Sequence, residues 1–171
     1  MPATDTSRRI LIVDDDATIR QMMAALLRNA ARHERASITN QARMRLFKNV
    51  AINESEPAPV VDYSIDMAAQ GQEALAMVQR AAEEKNPYLM VFLDMRMPPG
   101  WDGVETMARL WDADPHLQIA LCSAYSDYSW EQIIGHASCK QNLLILKKPF
   151  EYAEAAQVAL SLSEKGILTR R

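Results

Sequence analysis

Three consecutive acids, Asp14, Asp15 and Asp16, follow the apolar run Ile10-Leu11-Ile12-Val13, and a lone acid, Asp94, follows a second run, Val91-Phe92-Leu93. Carboxylates crowded together repel, and they stay ionised only when a cation or solvent compensates them. Two further apolar runs end in complementary groups. Residues 117–122 lead into the hydroxyl of Ser123, and residues 143–146 into Lys147-Lys148-Pro149. Gathered at one sheet edge, these residues would supply carboxylate oxygens, a hydroxyl and an ammonium. Hard oxygen ligands with space left for water suit Mg²⁺, while the serine and lysine suit the oxygens of a phosphoryl group.

The elements that would position them follow from periodicity. Short apolar runs alternate with helical patterns, which argues for a parallel sheet covered on both faces. In open sheets of this kind ligands bind outside the carboxyl ends of the strands, where each candidate group lies. Helices are predicted over 17–29, with Ile19, Met22, Met23, Leu26 and Leu27 on the inner face, and over 70–85, 104–111, 129–138 and 151–165. The second strand is predicted over 62–68, where Tyr63, Ile65 and Met67 alternate with polar neighbours.

Taken singly, each group has a plainer reading. Asp94 could be a turn residue, the acid triplet could cap the helix that follows, and Lys148-Pro149 could simply stop a strand. The joint pattern weighs more. Four runs in this order with these endings resemble the response-regulator receiver domain of bacterial two-component signal transduction, from Ile10 to about Lys165 apart from one insertion. The resemblance implies a CheY-like (flavodoxin-like) α/β fold, a doubly wound five-stranded parallel sheet in the order 2-1-3-4-5. It implies that Asp94 accepts the phosphoryl group. Asp14, Asp15, Asp94 and the main-chain carbonyl of Arg96 would hold Mg²⁺ or Mn²⁺, with Asp15 binding directly and Asp14 partly through water. Ser123 would meet the phosphoryl group, and Lys148, ahead of a cis proline, would pair with it. Lys147 should point away, because side chains alternate along a strand.

The implied partners are a sensor histidine kinase or phosphotransfer protein and an output domain in the same or another chain. The implied role is that of an acceptor in a phosphorelay rather than a turnover enzyme, with self-phosphorylation from a donor and slow autodephosphorylation only. The segments 97–103 and 123–130 further resemble receivers joined to cyclic-dinucleotide signalling domains or hybrid histidine kinases, with 163–171 as the start of a connector.

Three features depart from the family pattern. The switch position that pairs with Ser123, three residues before Lys148, is usually aromatic and here is Ile145. Arg96 sets a bulky cation two residues after the acceptor, which predicts an altered phosphoryl lifetime. About thirty residues, roughly 31–60, separate the first helix from the second strand, a length rare for a connection in a small domain. Its first half is basic, with Ile38, Ala42, Leu46 and Val50 at near-helical spacing, and its second half, 54–59, is an acidic proline-containing tether. A solvated helix packed by its apolar side, or a homodimer contact, is expected there. Two alternatives remain open: a haloacid dehalogenase-type phosphatase, disfavoured because Arg96 stands where a second Asp is needed, and a degenerate receiver that binds partners without phosphorylation.

The composition fits one globular domain at 10–165, with a disordered start at 1–9 and a tail at 166–171. Of 171 residues, 49% are hydrophobic and 24% charged, and the net charge of −3 argues against direct nucleic-acid binding. Cys122 and Cys139 belong to no metal or disulfide pattern, and no run is long enough to insert in a membrane, so a reduced cytoplasmic setting is expected.

Overall fold

The computed structural model describes residues 7–47, 61–124 and 128–171. Strands β1 (Arg8–Val13), β2 (Tyr63–Ala68), β3 (Met90–Asp94), β4 (Gln118–Ser123) and β5 (Leu143–Lys147) form one sheet in the order β2-β1-β3-β4-β5, as expected. All four pairings are parallel. Five helices alternate with them: α1 (Ala17–Phe47), α2 (Gly71–Glu83), α3 (Gly103–Ala113), α4 (Trp130–His136) and α5 (Tyr152–Leu168). The inner strands β1, β3 and β4 carry the least interrupted apolar runs, which suits strands buried on both faces.

Strand alternation divides the interior into two cores. Leu11, Val13, Val91, Leu93, Ile119 and Leu121 face α2, α3 and α4, where they meet Val78, Met107, Leu110, Trp111 and Ile133. Ile10, Ile12, Met90, Phe92, Ala120, Cys122 and Leu146 face α1 and α5, where they meet Met23, Leu27, Ala155 and Ala159. Buried Trp111 finds its partner locally, its indole donating to the Leu117 carbonyl at 2.9 Å, whereas the Thr106 hydroxyl and the Gln118 side-chain oxygen are buried without one.

Several boundaries differ from the sequence reading. The first helix continues from residue 29 to Phe47, so the first half of the supposed insertion prolongs α1 rather than forming a separate helix. No glycine or proline occurs between Ala17 and Phe47, and good helix formers dominate, so nothing breaks the hydrogen-bond ladder. At about 1.5 Å per residue α1 is roughly 46 Å long, against about 20 Å for a six-residue strand, so it overruns the sheet. Its burying face reads Met23, Ala24, Leu27 and Ala31; Met22, expected inside, is 61% exposed because it lies about 100° round the helix from Met23. Val50 and the tether 54–59 lie outside the described residues.

Regular structure begins inside the segment 1–9 expected to be disordered. Arg8 and Arg9 already belong to β1, held by the amide of Arg8 donating to Asp62 at 2.7 Å and that of Leu89 donating to Arg9 at 2.9 Å; residues 1–6 lie outside the described residues. The expected tail is also structured. Helix α5 runs to Leu168, Gly166 lets it approach the backbone of Leu89, and the Arg170 guanidinium donates to the Tyr88 carbonyl at 3.0 Å and pairs with Asp114. Ser163, read as the start of a connector, is fully buried and accepts a 2.9 Å hydrogen bond from Arg8.

Candidate functional site

The alternation that builds the core facing α1 and α5 also aims the polar groups. Two residues beyond Ile12 comes Asp14, two beyond Phe92 comes Asp94, and two beyond Leu146 comes Lys148, so all three continue the face directed at α1 and α5. The register keeps them level: Val13 pairs with Leu93, Asp94 with Cys122 and Cys122 with Leu146. The ladder extends one bond past β5, where the Lys148 amide donates to the Ser123 carbonyl at 2.9 Å. Lys148, and not Lys147, therefore reaches the acids.

Lys148 Nζ donates to Asp94 Oδ1 at 2.8 Å and to Asp14 Oδ2 at 3.3 Å. The other oxygen of Asp14 accepts from the Asp16 amide at 2.9 Å. Carboxylate oxygens of Asp14, Asp15 and Asp94 lie within 4.8 Å of one another. Asp14 is buried, Asp94 partly buried and Asp15 exposed, so the cluster opens to solvent on the Asp15 side. The capping role open to all three acids falls to Asp16, whose Oδ1 accepts from the Thr18 amide at 2.7 Å. That division leaves Asp14 and Asp15 for the cluster.

Burial raises the Asp94 pKa above the ordinary carboxylate value of 3.8; Lys148 opposes the rise, and the charges of Asp14 and Asp15 add to it. For Lys148, burial acts against the charged form, but the hydrogen bond and field of Asp94, with Asp14, outweigh it and raise the pKa. Both partners of one ion pair thus shift upward: the lysine meets a surplus of negative charge, and at the aspartate burial, with the charges of two nearby acids, outweighs the lysine. A cluster of three carboxylates beside one ammonium has capacity for a further cation. All-oxygen donors open on one side fit a small hard divalent ion that keeps part of its water.

Ser123 sits at the end of β4, fully buried, with its hydroxyl donating to the Ala124 carbonyl at 3.1 Å. Arg96 is exposed in the loop after β3. Ile145 packs against the core facing α2, α3 and α4, as a branched aliphatic side chain on a sheet should. The peptide before Pro149 is cis, as the resemblance implied, and so is the one between Pro98 and Pro99, which it did not. Cys122 lies beneath the cluster, and its burial pushes the thiol up to about 12; Cys122 and Cys139 are free thiols.

Sequence reasoning passed over two contributors. Asp102 caps α3 through Oδ1, which accepts from the Glu105 amide at 2.8 Å, and its Oδ2 accepts from the Tyr128 hydroxyl at 3.0 Å, tying the loop after β3 to the segment before α4. Arg20, in the first turn of α1, donates through Nη1 to the Asp14 carbonyl at 2.6 Å. Helical side chains lean toward their own N-terminus, so an arginine six residues after Asp14 was legible in principle as a group reaching back to it.

A doubly wound parallel sheet with acids and a lysine at its carboxyl edge is an α/β module whose polar cluster lies where such sheets bind ligands. The family model for the response regulator receiver domain matches residues 59–159, and the chain belongs to that family. The match starts beyond β1, so the acid pair enters through the fold. A receiver domain from Clostridium thermocellum superposes with a TM-score of 0.64 at 18% identity, covering 95% of this chain and 98% of that one. A structure described as an adenylate cyclase from Rhodopirellula baltica gives 0.63 at 18% identity, covering 96% and 93%. NtrX from Brucella abortus gives 0.61 at 19% identity, covering 96% of this chain and 28% of that longer one. No curated protein matches the chain. Among the described residues no helix is long and apolar enough to cross a membrane.

Proposed function

We propose that this receiver accepts a phosphoryl group on Asp94 from a phosphohistidine of a sensor kinase or phosphotransfer protein, and relays the change to an output domain in the same or another chain. The observation that carries the reading is the bridge from Lys148 to Asp94 and Asp14 inside a three-acid cluster. A carboxylate oxygen of Asp94 attacks phosphorus, the phosphorus–nitrogen bond breaks, and the histidine nitrogen leaves with the bonding electrons. Asp14, Asp15, Asp94 and the Arg96 carbonyl would hold Mg²⁺ or Mn²⁺, which when bound neutralises the charge developing on the phosphoryl oxygens. Lys148 already donates into this space and would move from the Asp94 oxygen to a phosphoryl oxygen. Ser123 would donate its hydroxyl to another, drawing in the start of the β4–α4 loop and shifting the populations of two conformations.

Catalytic turnover is no part of this role; the chain takes a phosphoryl group from a donor and loses it slowly to water. A cytoplasmic setting agrees with two free thiols. The exposed guanidinium of Arg96 is expected to change the phosphoryl lifetime, and equal decay rates in wild type and Arg96→Ala would remove that idea. The competing reading, a receiver that binds partners unphosphorylated, draws on Ile145, which lacks the ring that would follow the serine inward. Intact-mass spectrometry after incubation with Mg²⁺ and acetyl phosphate separates the two. A single phosphate adduct that requires both Mg²⁺ and Asp94, tested against Asp94→Asn, supports the acceptor. No adduct under conditions that modify a control receiver supports the interaction module.

A further inference from the structure

We infer that Arg20 is a positioning residue for the divalent cation, acting by fixing the Asp14–Asp15 peptide from the first turn of α1. This rests on the reading of Asp14, Asp15 and Asp94 as a cation site and assigns that site a support outside the acids themselves.

The Nη1 of Arg20 lies 2.6 Å from the Asp14 carbonyl oxygen, so through this bond the guanidinium grips the backbone. That carbonyl belongs to the peptide joining Asp14, which is buried and held by Lys148 and the Asp16 amide, to Asp15, which is exposed. Rotation of this peptide would swing Asp15 relative to Asp14, and the 4.8 Å grouping of their oxygens with Asp94 depends on that angle. The Asp14 amide is held as well, donating to the Ala68 carbonyl at 3.3 Å. With Arg20 on the other side, the turn between β1 and α1 is fixed from both β2 and α1.

Arg20 stands where a cation is not otherwise favoured. The N-terminus of a helix carries partial positive charge, so a cation there is disfavoured unless something offsets it. The Asp14 carbonyl and the acid triplet provide that offset. Groups that orient metal ligands from behind typically change metal affinity by roughly 10–100-fold when removed.

Position and charge make opposite demands, which gives the test its sign. If Arg20 mattered only as a nearby positive charge, its removal would tighten binding of Mg²⁺; if it orients the acid pair, removal weakens it. The measurement is Mg²⁺ titration of the full chain followed by the fluorescence of its tryptophans, with thermal midpoints in the absence of Mg²⁺ recorded beside it. Arg20→Met is expected to bind Mg²⁺ roughly tenfold more weakly. Arg20→Lys, which keeps a donor and the charge but loses the guanidinium's reach, should fall between Arg20→Met and wild type. Mg²⁺ affinity in Arg20→Met equal to or above wild type overturns the inference and leaves the acceptor reading standing. Should Arg20→Met fail to fold, affinity of Arg20→Lys equal to wild type overturns it instead. Absence of Mg²⁺ binding in wild type removes the cation-site reading and the inference with it; where wild type binds, loss of the response in Asp15→Asn ties it to the acid cluster.

Discussion

Lys148 bridges two carboxylates borne on the ends of β1 and β3, at 2.8 Å from Asp94 and 3.3 Å from Asp14. It holds together, through a single ammonium, groups that repel when alone. Lys148→Met removes that compensation and leaves two partly desolvated acids facing each other. We expect it to lower unfolding stability by about 1–3 kcal/mol without Mg²⁺, and Mg²⁺ to restore part of the loss by binding the folded state. Urea unfolding with and without Mg²⁺ measures both. Wild-type stability in the metal-free variant would show the bridge to be energetically silent.

At the opposite edge of the sheet, Asp66 accepts from Arg9 at 2.8 Å and from the Tyr88 hydroxyl at 2.7 Å, while Arg9 also stacks on the Tyr88 ring at 4.2 Å. Burial works to raise the Asp66 pKa, but the two donors and the arginine charge prevail and lower it below 3.8. A carboxylate depressed in the folded state contributes stability above its unfolded pKa and loses that contribution as pH falls through the folded value. Asp66→Asn should therefore melt below wild type at neutral pH, with the gap closing below 3.8. Thermal melts across that range check the sign; a gap independent of pH would mean that packing, not ionisation, carries the effect. Because the Asp66 side chain is 38% exposed, solvent screening keeps the expected difference small.

Gly103 opens α3 directly over the end of β3. A Cβ there would come within 2.7 Å of the Asp94 carbonyl oxygen and 2.8 Å of Met95 Cα, both backbone atoms that cannot step aside, while the Gly103 amide donates to the Met95 carbonyl at 2.8 Å. Gly103→Ala must push α3 away from the acceptor strand. The expected cost is about 1–3 kcal/mol, read as a lowered denaturant midpoint. An unchanged midpoint would show that the loop relaxes without strain.

The strand-end residues were legible because apolar runs fix both where a strand stops and which face its last side chain takes. Asp14, Asp94, Ser123 and Lys148 each follow such a run, and a parallel sheet leaves few ways to order them. The end of α1 was not legible by the same means. A basic, Ala-containing stretch with no break gives no stop signal, and the expectation of a compact domain suggested an end near residue 29. The fold of the C-terminal residues was missed for another reason: the contacts of Arg170 with Asp114 and Tyr88 join positions far apart in sequence, which periodicity cannot see. Asp102 and Tyr128 were missed likewise, since their pairing exists only once β3 and β4 lie side by side.

The unbroken course of α1 gives the molecule a mechanical property. One end of this rod is pinned at the acidic cluster through Asp16 and Arg20. The other ends beyond the sheet, roughly 46 Å away. With no glycine or proline to make a hinge, a tilt of about 5° carried along α1 as one rod would displace the far end by about 4 Å. A rearrangement too small to notice among the carboxylates would thus be magnified, at the distal tip, into a movement as large as an atom's diameter.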